Sequence, residues 1–286
     1  MNTNQQKETI DHIIEQALLE DLQQTGDITS EAIFSDQDTA RAVIKSKSSG
    51  ILSGAYLINP IFSRINRQIE IDLLAKDGGQ LNKGTVICTL SGPVKAILAG
   101  ERIALNFLQR LSGIATLTNQ YVQAIKHTGA RLLDTRKTTP NLRILEKKAV
   151  LHGGGCNHRF GLFDMILIKD THVKRSGGVG NALEKALFYR GNNKDLKIEV
   201  EVQSVPEFEE ALSFLPDRIM LDNMSIADMQ KCVSLIKERN VPVETEASGN
   251  ITLATIESVA KTGVDFISSG ALTHSAAALD IHLVID

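Results

Sequence analysis

The chain has 286 residues, 42% of them apolar and 23% charged, enough to bury a sizeable core without staples. A net charge of −3, 4% aromatic residues and no tryptophan argue against a nucleic-acid binder, which needs basic surface and stacking rings. No apolar run is long enough to span a bilayer, and the stretch from Met1 to Ile10 is polar and lacks a signal-peptide core. Cys88, Cys156 and Cys232 have neither disulfide nor metal-ligand spacing, so a cytoplasmic protein with reduced thiols and no membrane partner is expected.

From about Asp11 to Leu22, the residues Ile13, Ile14, Ala17, Leu18 and Leu22 share one helical face. Gly26-Asp27-Ile28-Thr29-Ser30 then reads as a turn and helix cap. From Ala40 to about Leu98 the texture is β, with Ala42-Val43-Ile44, Ile69-Glu70-Ile71 and Thr85–Leu90 as strands and Asp77-Gly78-Gly79 and Lys83-Gly84 as turns. A small sheet domain fits. Glu101 to His127 is one long apolar-periodic segment, expected as two helices broken near Ser112-Gly113.

The rhythm then changes to short apolar runs that end in polar residues and alternate with helical stretches. The runs are Leu132–Asp134, Met165–Lys169, Ile198–Val202, Ile219–Asp222, Val243–Glu246 and Val264–Ser268. Helices are expected at Ala182–Tyr189, Pro206–Leu215, Ile226–Glu238 and Leu253–Thr262. Such alternation specifies a parallel sheet with crossover helices. Ile198–Val202 alternates apolar with acidic residues, which suits a barrel wall with charges facing a site. About six β/α units are visible, fewer than the eight of a full barrel, so an incomplete α/β barrel is expected. The tail Leu279–Ile285 alternates like a strand that returns to the sheet domain.

Ligands bind at the carboxyl ends of barrel strands. Those ends carry Asp134-Thr135-Arg136-Lys137, Lys169-Asp170, Glu201, Asp222-Asn223, Glu246–Asn250 and Ser268–Ala271, to which Gly153-Gly154-Gly155-Cys156-Asn157-His158-Arg159 is added. Converging cations are costly without an anion between them, so Arg136, Lys137, Arg159 and Lys169 ask for a ligand with several negative charges. Ser248-Gly249-Asn250 and Ser269-Gly270-Ala271 suit phosphate, because glycine lets backbone N–H groups approach; the plainer alternative is two helix entries. Glu201 and Asp222 are hard oxygen donors for Mg²⁺ shared with substrate phosphates, or salt-bridge partners of the cations. Lys169 suits either a Schiff-base nucleophile or an anion partner. His158 suits a carboxylate donor or a proton shuttle.

These motifs, with Gly100–Asn106, Glu199-Val200-Glu201 and Ser269–His274, resemble the quinolinate phosphoribosyltransferase family, also called nicotinate-nucleotide pyrophosphorylase (carboxylating). The likeness covers nearly the whole chain. It implies an α/β sandwich domain over residues 1–115, joined by a C-terminal strand within 276–286, and an incomplete α/β barrel over 116–275 that carries the site. It implies that quinolinate and phosphoribosyl pyrophosphate yield nicotinate mononucleotide, pyrophosphate and CO₂, with Mg²⁺ and no organic cofactor, in NAD biosynthesis. By motif, Arg136, Lys137, His158, Arg159 and Lys169 match the family's substrate-binding cations, with Thr135 beside them. Glu201 and Asp222 match acids near the ribose and metal, and Ser248, Gly249 and Gly270 match the phosphate loops. Lys137, Lys169, Glu201 and Asp222 are the expected catalytic set. Arg102 matches an arginine that reaches the neighbouring subunit's site, so a homodimer or larger assembly is expected.

Asn141 stands where the family commonly has glycine, and Lys147-Lys148 and Thr171-His172-Val173 also depart from its pattern. Two other readings remain open: a relative of the same fold from molybdenum-transport loci with a different acceptor, and a Schiff-base aldolase using Lys169.

Overall fold

Helix α1 (Thr3–Leu22) buries Ile13 and Ile14 and leaves Glu15 and Gln16 exposed, as the periodicity requires. It begins well before Asp11, because nothing from Asn4 to Glu8 breaks a helix. The computed structural model describes residues 3–286; Met1 and Asn2, the start of the polar N-terminal stretch, lie outside the described residues. The Asp27 carboxylate caps α2 (Ile28–Ile33), accepting the N–H groups of Thr29 and Ser30 at 3.1 and 3.2 Å.

The chain continues through β1 (Thr39–Ser46), β2 (Gly50–Ile51), α3 (Ile58–Ile65), β3 (Glu70–Leu73), β4 (Gln80–Leu81) and β5 (Val86–Pro93) to α4 (Val94–Ile125). Next come β6 (Arg131–Leu133), α5 (Arg143–His152), β7 (Ile166–Ile168), α6 (Asp170–Ser176), α7 (Val179–Arg190), β8 (Ile198–Val202) and α8 (Val205–Ser213). The last elements are β9 (Arg218–Asp222), α9 (Ile226–Arg239), β10 (Glu244–Ser248), α10 (Ile256–Ala260), β11 (Phe266–Ser268), α11 (Ala271–His274) and β12 (Ile281–Ile285).

Two compact units result. One holds the residues up to Asn119 together with Thr138–Gly154 and Leu272–Asp286; the other holds Gln120–Lys137 and Gly155–Ala271. In the first, an antiparallel sheet runs β12-β1-β5-β3, with Val43 opposite both Val284 and Thr89. Ala42, Ile44, Cys88 and Leu90 are buried in it, and α3 adds Ile58, Ile61 and Phe62. The C-terminal strand therefore pairs within this unit. The sequence places residues 138–154 in the barrel domain, but the structure groups them with the first unit, where α5 packs on α1.

The expected break at Ser112-Gly113 does not occur; α4 is one helix of 32 residues. Gly113 has a packing reason: a Cβ there would run into the Ala277 carbonyl. Ser112 Oγ accepts the Ser53 N–H at 3.0 Å and donates to the Ser53 carbonyl at 3.1 Å. Close approach, not a helix end, explains both small residues.

In the second unit the six apolar runs become a parallel sheet of order β6-β11-β10-β9-β8-β7. First strand beside last is barrel order, and the ladder is not closed between β6 and β7. Pairing sets Glu199 opposite Arg218, Glu201 opposite Met220, Glu246 opposite Met220 and Asp222 opposite Ser248. Period two therefore puts Glu199 and Glu201 on one face with Arg218, Asp222, Glu246 and Ser248. All five residues of β8 are buried, so Ile198, Val200 and Val202 pack on one side while the acids face the other.

Candidate active site

At the carboxyl ends of these strands lies a cleft of about 570 Å³, lined wholly by the second unit. Thr135, Arg136, Lys137, His158, Arg159, Lys169, Glu201, Asp222, Ser248, Gly249 and Asn250, all expected from sequence, line it. Leu167, Asp170, Met220, Asn223 and Ser268 complete the wall.

Three expected residues lie elsewhere in the same unit. Ser269 is buried, with its N–H on the Leu133 carbonyl at 3.1 Å and its Oγ on the Ile251 carbonyl at 3.2 Å. Gly270 and Ala271 are partly exposed at the start of α11 and are not among the lining residues. Arg102 belongs to the first unit, on α4, with its side chain 62% exposed and 4.0 Å from Glu101.

The cation wall is built from β6 and the glycine-rich segment. Buried Asp134, just past β6, accepts the His158 N–H at 2.9 Å, and Thr135 Oγ1 accepts the Lys137 N–H at 3.0 Å. Arg159 Nη1 donates to the Met165 carbonyl at 3.1 Å. Burial pushes Arg159 below its ordinary value and the Arg136 guanidinium pushes the same way, while Glu199, Asp164 and Glu201 oppose them. Two guanidinium groups that repel each other at a cleft wall form a site for an anion.

The acidic wall is different. Lys169 Nζ donates to Glu201 Oε1 at 2.7 Å, and the Asp170 N–H reaches Glu201 Oε2 at 3.4 Å. Asp222 accepts side-chain amide protons from Gln203 at 3.3 Å and Asn223 at 3.1 Å. The third wall is a turn in left-handed backbone. Asn223, Gly249 and Asn250 have φ of 54°, 96° and 50°, and Asn250 Nδ2 donates to Asn223 Oδ1 at 3.0 Å. A Cβ on Gly249 would meet the Asn223 side chain. Ser268 Oγ donates to Ser248 Oγ at 3.0 Å beside it.

Beneath the cleft lies a charged cluster that the sequence reading did not assign. Glu199 and Glu246 are both fully buried on the inner face. Arg218 Nη1 lies 2.8 Å from Glu246 Oε2 and 4.0 Å from Glu199 Oε2, and its guanidinium stacks 3.8 Å from the Phe266 ring centre. Burial raises both carboxyls to about 7; the Glu199 charge raises Glu246 further, whereas Arg218 pulls both down and the Glu246 side chain lowers Glu199. The available signal was the Glu-Val-Glu alternation on β8, which puts Glu199 on the same face as Glu201.

The departures are accommodated. Asn141 takes the left-handed backbone that glycine would supply, with φ of 66°. Lys148 Nζ sits 3.7 Å from the centre of the Tyr56 ring. Thr171 is exposed, next to Asp170, whose carboxylate accepts the Thr171 N–H at 2.7 Å.

An incomplete barrel whose mouth sets guanidinium and ammonium groups opposite carboxylates and a glycine turn defines a class of anion-handling transferase sites. The chain belongs to the quinolinate phosphoribosyl transferase family: the family's N-terminal domain matches residues 27–112 and its C-terminal domain residues 114–284. It is 44% identical over 283 residues to a Bacillus subtilis protein described as a probable nicotinate-nucleotide pyrophosphorylase [carboxylating], with 99% of this chain and 94% of that one covered. It is 42% identical to a chloroplastic nicotinate-nucleotide pyrophosphorylase [carboxylating] of Arabidopsis thaliana, covering 96% of this chain and 82% of that one. The solved nicotinate-nucleotide pyrophosphorylase of Francisella tularensis superposes with a TM-score of 0.91 at 39% identity, covering 98% of this chain and 96% of that one. No helix of the described residues is long and apolar enough to cross a membrane.

Proposed function

We propose that this chain transfers the phosphoribosyl group of phosphoribosyl pyrophosphate to the ring nitrogen of quinolinate. The products are nicotinate mononucleotide, pyrophosphate and CO₂, and the step belongs to NAD biosynthesis. The observation that carries the reading is the pairing of Arg136 with Arg159 at the cleft wall. A planar dicarboxylate satisfies two guanidinium forks at once, and a monocarboxylate does not.

The chemistry follows from charge. The ring nitrogen attacks the anomeric carbon as pyrophosphate leaves, so positive charge builds on the ribose. Glu201 and Asp222 face that region and stabilise it, while Lys137 and Lys169 offset the leaving group's charge. The new pyridinium then accepts the electron pair released when the 2-carboxylate departs as CO₂, and a proton replaces the carboxylate on that carbon. The turn at Gly249 offers the substrate phosphate backbone N–H groups, in a conformation where a Cβ would collide with Asn223.

Mg²⁺ suits this site as an ion held mainly by the substrate. Glu201 and Asp222 are hard donors, but each already accepts protein hydrogen bonds, which fits one or two carboxylates helping a phosphate-bound ion. When bound, it supplies charge neutralisation of the leaving pyrophosphate. The pyridinium serves as the electron sink, so the reaction asks for no organic cofactor. Assembly at least as a homodimer, with Arg102 entering the partner's cleft, is supported by the exposure of that side chain. Cytoplasmic residence is supported by three free cysteines.

The test is incubation with quinolinate, phosphoribosyl pyrophosphate and Mg²⁺, following nicotinate mononucleotide and CO₂ together, with nicotinate as control acceptor. Matched product and CO₂ from quinolinate alone are expected. Product from nicotinate at a similar rate would refute the dicarboxylate reading.

A further inference from the structure

Arg110, on α4, is held on several sides. Its Nη1 donates to the Ala276 carbonyl at 3.1 Å and its Nη2 to the Thr273 carbonyl. The edge formed by Nε and Nη2 meets Glu146 Oε1 at 3.2 and 2.9 Å. Glu146, in the first turn of α5, is completely buried. Its carboxylate also grips Thr139: Oε2 accepts the Thr139 N–H at 3.1 Å and Oε1 accepts the Thr139 hydroxyl at 2.8 Å. The Thr139 carbonyl in turn accepts the Leu142 N–H at 3.1 Å. One residue earlier, Thr138 Oγ1 accepts from Arg143 Nε at 3.0 Å.

A buried ion pair is a weak source of stability, because desolvation offsets much of the Coulomb attraction. The loop it anchors exposes Lys137, Thr139, Pro140 and Asn141, so it buries little that would call for such an anchor. What the anchor controls is the direction of the backbone. A carboxylate that takes the N–H and the hydroxyl of one residue together sets its rotation as well as its place. Thr139 follows Lys137 by two residues and Arg136 by three, a reach of at most about 7 and about 10 Å. The segment that carries both cations is therefore held at its two ends, by the β6 ladder before it and by Glu146 after it.

We infer that Arg110 and Glu146 form a positioning pair that fixes the backbone at Thr138-Thr139 and so sets Arg136 and Lys137 for the substrates. Neither Arg110 nor Glu146 is among the residues that line the cleft, so both act through the loop. The inference rests on the quinolinate reading of the cleft.

The experiment compares Thr139→Val with Thr139→Ser in the full-length protein. Valine keeps the shape and the N–H but removes the hydroxyl that Glu146 accepts; serine returns it. Thr139→Val should raise KM for quinolinate and lower kcat, so that kcat/KM falls roughly tenfold, with the thermal midpoint unchanged. Thr139→Ser should restore most of that loss. Glu146→Gln should lower kcat/KM further, since an amide that keeps its oxygen on Arg110 turns a donor toward the Thr139 N–H. A wild-type kcat/KM in Thr139→Val, or a loss that serine does not restore, would overturn the inference. So would lost thermal stability at wild-type kcat/KM in Glu146→Gln, which would mark the pair as merely structural. Should that variant not fold, the Thr139 variants decide. Hydrogen exchange of the segment spanning residues 135–142 needs no turnover. It should quicken in Thr139→Val while α4 keeps its wild-type protection, and equal rates in the segment would also overturn the inference. Quinolinate turnover in the wild type tests the underlying reading separately.

Discussion

Lys169 Nζ lies 2.7 Å from Glu201 Oε1, so a direct ion pair joins the cationic and acidic walls of the cleft. The lysine side chain is 45% exposed and the glutamate 9%, so solvent screens the pair from one side only. Lys169→Ala should cost about 1 kcal/mol of stability. Its effect on kcat/KM should be larger, since Glu201 would then repel the anionic substrate. The double variant Lys169→Ala/Glu201→Ala should lose less than the sum of the single losses, with a coupling of about 0.5–3 kcal/mol. Additive losses in steady-state kinetics would show that the two side chains act independently. Borohydride with substrate should trap no adduct on Lys169, since its amine serves as a hydrogen-bond donor to a carboxylate.

Gly249 should tolerate no side chain. Its φ of 96° is strained for any L residue, and a Cβ would collide with Asn223. Gly249→Ala should lower stability by about 1–2 kcal/mol from backbone strain. It should also raise KM for phosphoribosyl pyrophosphate more than KM for quinolinate. Chemical denaturation and initial rates check the two parts, and an unchanged donor KM would remove Gly249 from the phosphate turn.

The buried carboxyl pair should make stability depend on pH in a defined direction. Glu246 and Glu199 are raised from 4.5 to about 7, chiefly by burial. The folded state then binds more protons than the unfolded state between those values, so stability falls as pH rises from 4.5 through about 7. The two titrate as a pair, and the effect is on the order of 3 kcal/mol. Glu246→Gln should flatten the profile of denaturation midpoint between about pH 5 and pH 8. A slope equal to the wild type's would show that the pair does not titrate in that window.

Much of this was legible in the residues, for identifiable reasons. Each barrel strand is a short apolar run ending in a polar residue, and Arg136, Lys169, Glu201, Asp222 and Gly249 follow those ends to one cleft. What failed was whatever depends on contacts distant in sequence. Gly113 reads as a helix break, but the cause is the Ala277 backbone packed against it. Residues 138–154 read as barrel because they lie between two barrel strands; their helix packs instead on α1. Glu199 shares its face with Glu201, but only the register with β9 reveals Arg218 as its neighbour. His158 lines the cleft, where the glycine run before it places it, but nothing local in the sequence announces Glu199 and Glu246 beside its ring.

The assembly makes the last prediction. Arg102 is exposed on α4 of the first unit, while Arg159 lines the cleft of the second. If the Arg102 of one copy serves the cleft of another, Arg102→Ala and Arg159→Ala inactivate different halves of a shared site. Each homo-oligomer should then be nearly inactive. Mixed after subunit exchange, half of the molecules in a random dimer population carry one variant of each kind, and each such dimer keeps one cleft with both arginines intact. About a quarter of all clefts, and so roughly a quarter of wild-type activity, should return. Exchange is monitored independently by mass-labelled subunits. Restored activity in proportion to the mixed species supports the shared site, and complete exchange without rescue would place every essential cation within one chain.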